Sequence, residues 1–416
     1  MDSFVILIVF LFIVILLFNK KDITSPSVLF AASFVVSAIV FTLSSAIWGV
    51  QLSSNTKTVI LGGISVFFIG GVVANGFPQR NTLRKEIIDI RINKRTLSLI
   101  NLFCILLPLF RAFDIILVTG SFNIFGGLGE YRAREASSFF AKLISIISPI
   151  CNAAMIIMLV IIINNILDKK KVSKLYFVPI ISYFVAAAFS SSRIDVIYMF
   201  INFSVIYLIV YRLKKKTKIG IKQLKYVFLA IVVLGFIFFG LGFMTGKSQQ
   251  QESMAGNLSI YAGSSFAALD YYLDGFKYNI NNLGKETFIG LSNLYSWLGI
   301  ERVAEGGSME FVDIGTMAHS TNVYTCFRPL IHDYNYIGMY IILFAEGFFL
   351  QLLYRKTRRE MKYGKVSWIV FYAYLSSYLM LSSIAERIFS CLITLTTVMF
   401  IIALCFLKRT VRVVYE

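Results

Sequence analysis

Long apolar runs, one after another, constrain this chain more than any motif does. A hydrocarbon core about 30 Å thick takes roughly 20 apolar residues to cross as a helix. Inside it the backbone must satisfy its own hydrogen bonds, so only helices and closed barrels span. Here Leu, Ile and Phe run continuously, without the alternation of a barrel strand. Composition agrees. Of 416 residues, 57% are hydrophobic and 15% charged, where a soluble domain carries about 25% charged residues. The sequence therefore predicts an all-α, polytopic helical membrane protein.

Spans are expected at roughly 3–18, 27–48, 58–77, 96–118, 146–167, 175–189, 194–211, 226–246, 335–354, 366–384 and 388–407, about eleven in all. The apolar segment after Met1 has no positive stretch before it and no small-residue cleavage site, and reads as a retained span. Three blocks follow: a helix bundle over 1–246, a large loop over 247–334, and further spans with a short tail over 335–416.

The net charge of +18 would suggest nucleic acid in a soluble protein. Here the basic residues sort into alternate loops: Lys20 and Lys21, Arg80 to Arg95, Lys169 to Lys174, Arg212 to Lys225, Arg355 to Lys365, and Lys408 to Arg412. The positive-inside rule then places these loops in the cytoplasm, with the N-terminus outside and the C-terminus inside. They carry no Gly-rich phosphate loop and read as topology signals with affinity for anionic lipid. No nucleic-acid role is implied.

The outer side differs. The loop from Lys247 to Tyr334 holds nine acidic residues against five Lys or Arg, and both histidines of the chain. Loops this long are functional or disordered, and this one is patterned. Ile260, Phe266, Leu269, Leu273 and Phe276 recur at helical spacing, as do Phe288, Leu291, Tyr295 and Leu298. Both read as amphipathic helices at the outer interface, with a third at 138–148. No internal repeat is visible, which argues against an inverted-repeat transporter.

Several ionisable residues fall on that side. Arg193 follows three serines in the short turn SSSRID, at the start of a helix. Helix N-termini and guanidinium groups both suit phosphate oxygens; snorkelling to headgroups, beside Asp195, is the competing reading. Arg132 and Arg134, in GEYRARE, either bind an anion or pair with Glu130 and Glu135. Arg111 and Asp114 lie within a span at a spacing of three, where they can pair on one helix face or serve a site. Glu386 and Arg387 occupy a short turn between the last two spans. An outer-leaflet anion that needs several arginines is a lipid pyrophosphate. The five cysteines show neither metal-ligand spacing nor a disulfide framework, no Asp-x-Asp occurs, and no metal or cofactor is indicated.

The stretch TNVYTCFRPLIHDYNYIGM, followed by an apolar span, resembles the end of the large outer loop in the Wzy-type polysaccharide polymerases, the family of O-antigen and capsular repeat-unit polymerases. The match lies in Asn322, Val323, Tyr324, Thr325, Arg328, Asp333 and Tyr334; Asn335 stands where the family often has Gly. The segments SSFAALDYYLDG and GKETFIGLSNLYSWLGI and the Ser-Arg turn are similar too.

The resemblance implies a GT-C-like integral-membrane glycosyltransferase of the bacterial plasma membrane, acting on the extracytoplasmic face. It would move a growing glycan from undecaprenyl pyrophosphate onto a new lipid-linked oligosaccharide repeat unit. A flippase and a chain-length regulator are the implied protein partners. Arginines would stabilise the pyrophosphate as it leaves: Arg193 and Arg328 first, then Arg132 and Arg134, with Asn322, Tyr324 and Thr325 beside them. The acceptor hydroxyl needs a base; His319, Asp333, Glu310 and Asp313 are candidates, and His332 is an alternative base or orienter. An O-antigen ligase-like transferase fits the same architecture. A flippase or other transporter of lipid-linked oligosaccharide would require charges along the spans, which are nearly free of them.

Overall fold

The computed structural model describes residues 3–415 apart from 79–86, 134–137, 191–192, most of 216–253, 292–308 and 316–318. In chain order the helices are α1 (Ser3–Phe18), α2 (Pro26–Trp48), α3 (Ser54–Gly76), α4 (Lys94–Thr119), α5 (Ile124–Ala133), α6 (Phe139–Leu167), α7 (Val178–Phe189), α8 (Arg193–Lys215), α9 (Met254–Asp274), α10 (Phe327–Met361), α11 (Val366–Leu379), α12 (Ile388–Leu392) and α13 (Leu395–Leu407). The strands are β1 (Ile87–Ile92), β2 (Val312–Ile314), β3 (His319–Thr321) and β4 (Val411–Tyr415).

Among the described residues, six helices are long and apolar enough to cross a membrane: α2, α3, α4, α6, α8 from Ile194, and α10. Shorter apolar helices cover Ser3–Phe18, Lys174–Phe189, Val366–Leu379 and Leu395–Leu407. The chain is a mostly helical, membrane-embedded protein. The span expected at 226–246 lies largely outside the described residues. The one expected at 388–407 is broken into α12 and α13 at Ile393, whose φ of −102° and ψ of 61° leave the helical region. The amphipathic helix expected at 138–148 is no separate element: it is continuous with the following span in α6, which Ser138 caps by accepting from the backbone N–H of Ala141 at 2.9 Å.

The chain divides into two compact units. The first comprises Met1–Asn81, Ser253–Arg355 and Tyr378–Leu395. Its core is aromatic. Phe30 stacks on Phe67 at 4.2 Å, and Phe34 on Phe327 at 5.0 Å. Helix α9 has the expected apolar face, but that face is buried inside the unit rather than laid on the membrane surface: Phe266 and Leu269 are fully buried. Gly263 explains why. A Cβ there would lie 2.9 Å from the backbone nitrogen of Phe41, so only glycine lets α9 come this close to α2. Helices α3 and α10 meet in the same way. A Cβ on Gly70 would fall 2.1 Å from the carbonyl oxygen of Phe344, and one on Gly347 would fall 2.0 Å from that of Phe67. Small residues in membrane helices permit such backbone approach.

Helix α10 turns a corner at Asn335, with φ 62° and ψ 178°. That region is open to glycine and strained for other residues. The Asn335 side chain recovers part of the cost by accepting from the backbone N–H of Tyr336 at 2.7 Å, which caps the helix that continues. Downstream, Tyr354 donates to the buried Asp22 at 2.7 Å and fixes the far end of the span.

The second unit comprises Thr82–Glu252, Lys356–Ser377 and Thr396–Glu416. Helices α4, α6, α7 and α8 pack together in it. Asn101 donates to the carbonyl of Leu175 at 3.0 Å, and Ser377 to Asn202 at 2.9 Å. Strands β1 and β4 pair antiparallel, with Arg91 opposite Arg412. The loop before α4 and the tail after α13 therefore lie on the same side of the membrane.

Candidate functional site

A cavity of about 550 Å³ opens in the first unit, lined by residues from four stretches of chain: Lys285 and Glu286, Met309 and Glu310, Asn322 to Arg328, and Ile384 to Ser390. Arg328, on the first turn of α10 and only 5% exposed, is part of its wall. The Thr325 hydroxyl accepts from the backbone N–H of Phe327 at 3.3 Å and starts that turn. The guanidinium carbon sits 3.9 Å from the ring centre of Tyr324 and 4.8 Å from that of Tyr272. Aromatic faces hold an arginine by charge–quadrupole attraction and leave its N–H donors unused. Nη2 donates to Glu310 at 3.2 Å and to Glu286 at 3.4 Å. Nε and Nη1 are buried and have no partner among the described residues. A buried guanidinium with two idle donors is costly unless something else meets them.

Glu286 is the residue that sequence reasoning missed as a site member. Gly284, at φ 73°, makes the left-handed turn just before it. Asp333 then fixes its backbone, accepting from the N–H of Glu286 at 3.2 Å and of Thr287 at 2.7 Å. Oε1 of Glu286 faces Arg328, while Oε2 is buried without a partner among the described residues. Burial pushes its carboxyl above the ordinary value; Arg328 and then His332 pull it back, and Asp333 and Glu310 push it further up.

Asp333 itself is fully buried. Besides the two backbone groups it faces His332, with Nδ1 at 2.9 Å, and the other ring nitrogen of His332 lies 3.0 Å from the Asn282 amide. Both ring nitrogens are occupied, and neither residue lines the cavity. The structure thus makes Asp333 and His332 a brace for Glu286 rather than an open base. Tyr324 also lines the cavity; burial pushes its phenol up to about 12, Arg328 opposes this and Glu310 adds to it. Its hydroxyl donates to the carbonyl of Glu310 at 3.3 Å.

Glu386 and Arg387 line the same cavity. The Glu386 carboxylate is spent on the start of α12, accepting from the backbone N–H groups of Phe389 at 2.8 Å and Ser390 at 2.9 Å. Burial raises its carboxyl and those hydrogen bonds lower it, with burial the larger.

Other expected residues lie elsewhere. Asp313 lines a separate cavity with Asp270 and Asp274. Asp270 is occupied there by Ser53 and Thr56, the latter at 2.6 Å. His319 begins β3, opposite Ile314, with its side chain outside the described residues. Arg193 begins α8 and Arg132 lies near the end of α5, with both side chains outside the described residues; Arg134 is outside them altogether. Arg111 and Asp114, read as either pairing on one helix face or serving a site, do not pair among the described residues. Asp114 is fully buried and accepts instead from the hydroxyls of Tyr131 and Ser138, which α5 and the start of α6 bring to it.

The arrangement can bind an anion at Arg328 while holding an ionisable carboxyl beside it. No protein-family model, curated protein or solved structure matches this chain.

Proposed function

We propose that this chain is a membrane glycosyltransferase that polymerises lipid-linked oligosaccharide repeat units on the extracytoplasmic face, with a lipid pyrophosphate as the leaving group. One observation carries the reading: Arg328, buried and clamped between two tyrosines, lines a cavity large enough for a sugar, and its Nε and Nη1 have no partner among the described residues. Cleaving a sugar–pyrophosphate bond builds negative charge on phosphate oxygen. A donor already oriented toward it lowers the barrier, because nothing has to reorganise as the charge forms. Glu310, 65% exposed, is the group an incoming phosphate would displace from Arg328. The basic loops alternate along the chain and leave this loop on the outer side by the positive-inside rule. The motif from Asn322 to Tyr334, which resembles the repeat-unit polymerases, supplies Arg328, Tyr324 and the Asp333 brace in this one site.

The test is elongation by the full chain in lipid nanodiscs, supplied with lipid-linked repeat units extracted from cells that lack this protein. A ladder of glycan lengths is expected from the wild type, and none from Arg328→Ala. Arg193→Ala tests the second arginine expected from the sequence. Glycan transfer to a different acceptor without a ladder would make it a ligase-like transferase. Equal ladders from wild type and Arg328→Ala would end the proposed role of Arg328.

A further inference from the structure

We propose that Glu286 is the catalytic base of this site, taking the proton from the acceptor hydroxyl. This deepens the polymerase reading and rests on it. The cavity offers few alternatives. Asp333 has no exposed surface, and its two oxygens are committed to Glu286, Thr287 and His332. Glu386 is committed to the backbone of α12. Both ring nitrogens of His332 are engaged. Asp313 faces another cavity. Glu310 stands mostly in solvent, with Oε1 on Arg328. Glu286 alone of these acids lines the cavity with a buried oxygen that nothing described engages, at 23% side-chain exposure and 3.4 Å from Arg328.

The geometry suits the chemistry. A general base must be held in place and must sit beside the charge that develops. Two backbone hydrogen bonds to Asp333 hold the segment, and Arg328 stands next to the carboxylate. In the step, the acceptor O–H proton passes to the Glu286 carboxylate while the acceptor oxygen bonds to the anomeric carbon of the donor glycan. The anomeric C–O bond breaks, its electron pair leaves with the lipid pyrophosphate, and Arg328 meets that charge. Glu286 afterwards loses the proton to water through its exposed edge. Arg328, His332, Asp333, Glu310, Tyr272 and Tyr324 are the charged and titratable groups beside the carboxyl among the described residues, with Lys285 adjacent in sequence and Glu386 and Arg387 in the same cavity lining.

The experiment compares wild type, Glu286→Gln, Glu286→Asp and His319→Ala in nanodiscs, measuring elongation against pH and, separately, binding of undecaprenyl pyrophosphate. Glu286→Gln should lose about 10²–10⁴-fold in rate, keep its pyrophosphate-lipid binding, and lose the acidic limb of the pH profile. Glu286→Asp should retain that limb at reduced rate. Wild-type elongation by Glu286→Gln, with the ladder intact, overturns the base assignment and leaves the polymerase reading standing. Loss of the acidic limb in His319→Ala but not in Glu286→Gln overturns it in favour of the histidine. Absence of any ladder from the wild type removes the polymerase reading and this inference together.

Discussion

The carboxylate of Asp333, fully buried, accepts the backbone N–H of Thr287 at 2.7 Å across 46 residues of sequence. It also holds the N–H of Glu286. Asp333→Ala would leave both donors without a partner, at about 1–3 kcal/mol each. A clear fall in thermal midpoint of the purified protein is expected, together with loss of elongation. Asp333→Asn keeps an acceptor oxygen and should fall between wild type and alanine. Equal stability of alanine and wild type would mean that the segment is held by something else.

Asn335 tests the corner of α10. Glycine relieves the strain of its φ of 62° and ψ of 178° but forfeits the side-chain cap on Tyr336. Strain of this kind costs about 1–3 kcal/mol, so Asn335→Gly should be at least as stable as wild type. Asn335→Ala keeps the strain, loses the cap and should melt lowest of the three. An alanine variant that matches wild type would show that the corner is not where the strain resides.

The helix contact through Gly70 and Gly347 makes a sharper packing test. Each glycine faces the other helix's backbone within the space a Cβ would need. Gly347→Ala and Gly70→Ala must push α3 and α10 apart, and both should lower the thermal midpoint. Gly76→Ala, which meets nothing within 4 Å, is the control and should not.

These elements differ in how plainly the sequence announces them. The apolar runs are legible because burial in lipid leaves a mark on every residue of a span. Arg328, Tyr324 and Asp333 are legible because they share one short stretch. Glu286 lies 42 residues before Arg328, a lone glutamate in an acidic loop, and only the fold brings the two together. The face of α9 reads the same whether it meets lipid headgroups or protein; Gly263 was the available signal that it meets α2. The pairing of β1 with β4 joins segments from opposite ends of the second unit, which no local pattern encodes. Arg111 and Asp114 have the spacing of a helix pair, yet two hydroxyls brought by neighbouring helices take the carboxylate.

The last prediction sets activity against stability at Glu286. Its carboxyl is raised above the ordinary value, chiefly by burial. The folded state therefore favours the protonated form. That contribution to stability is fully present below the unfolded-state pKa and is lost as pH rises through the raised folded-state value. Above that pH the ionised carboxylate is a burden, and Glu286→Gln, neutral throughout, should melt higher than wild type, with the difference shrinking toward acid. Catalysis runs the other way, because a base must be ionised. The acidic limb of wild-type elongation should lie above the range of an ordinary carboxyl. Arg328→Gln removes a charge that lowers this pKa, so any residual activity should show the limb at higher pH; Glu310→Gln removes a charge that raises it and should shift the limb down. Thermal midpoints and elongation rates measured across the same pH series check both signs. A Glu286→Gln variant that melts lower than wild type at neutral pH would mean that its pairing with Arg328 outweighs its burial.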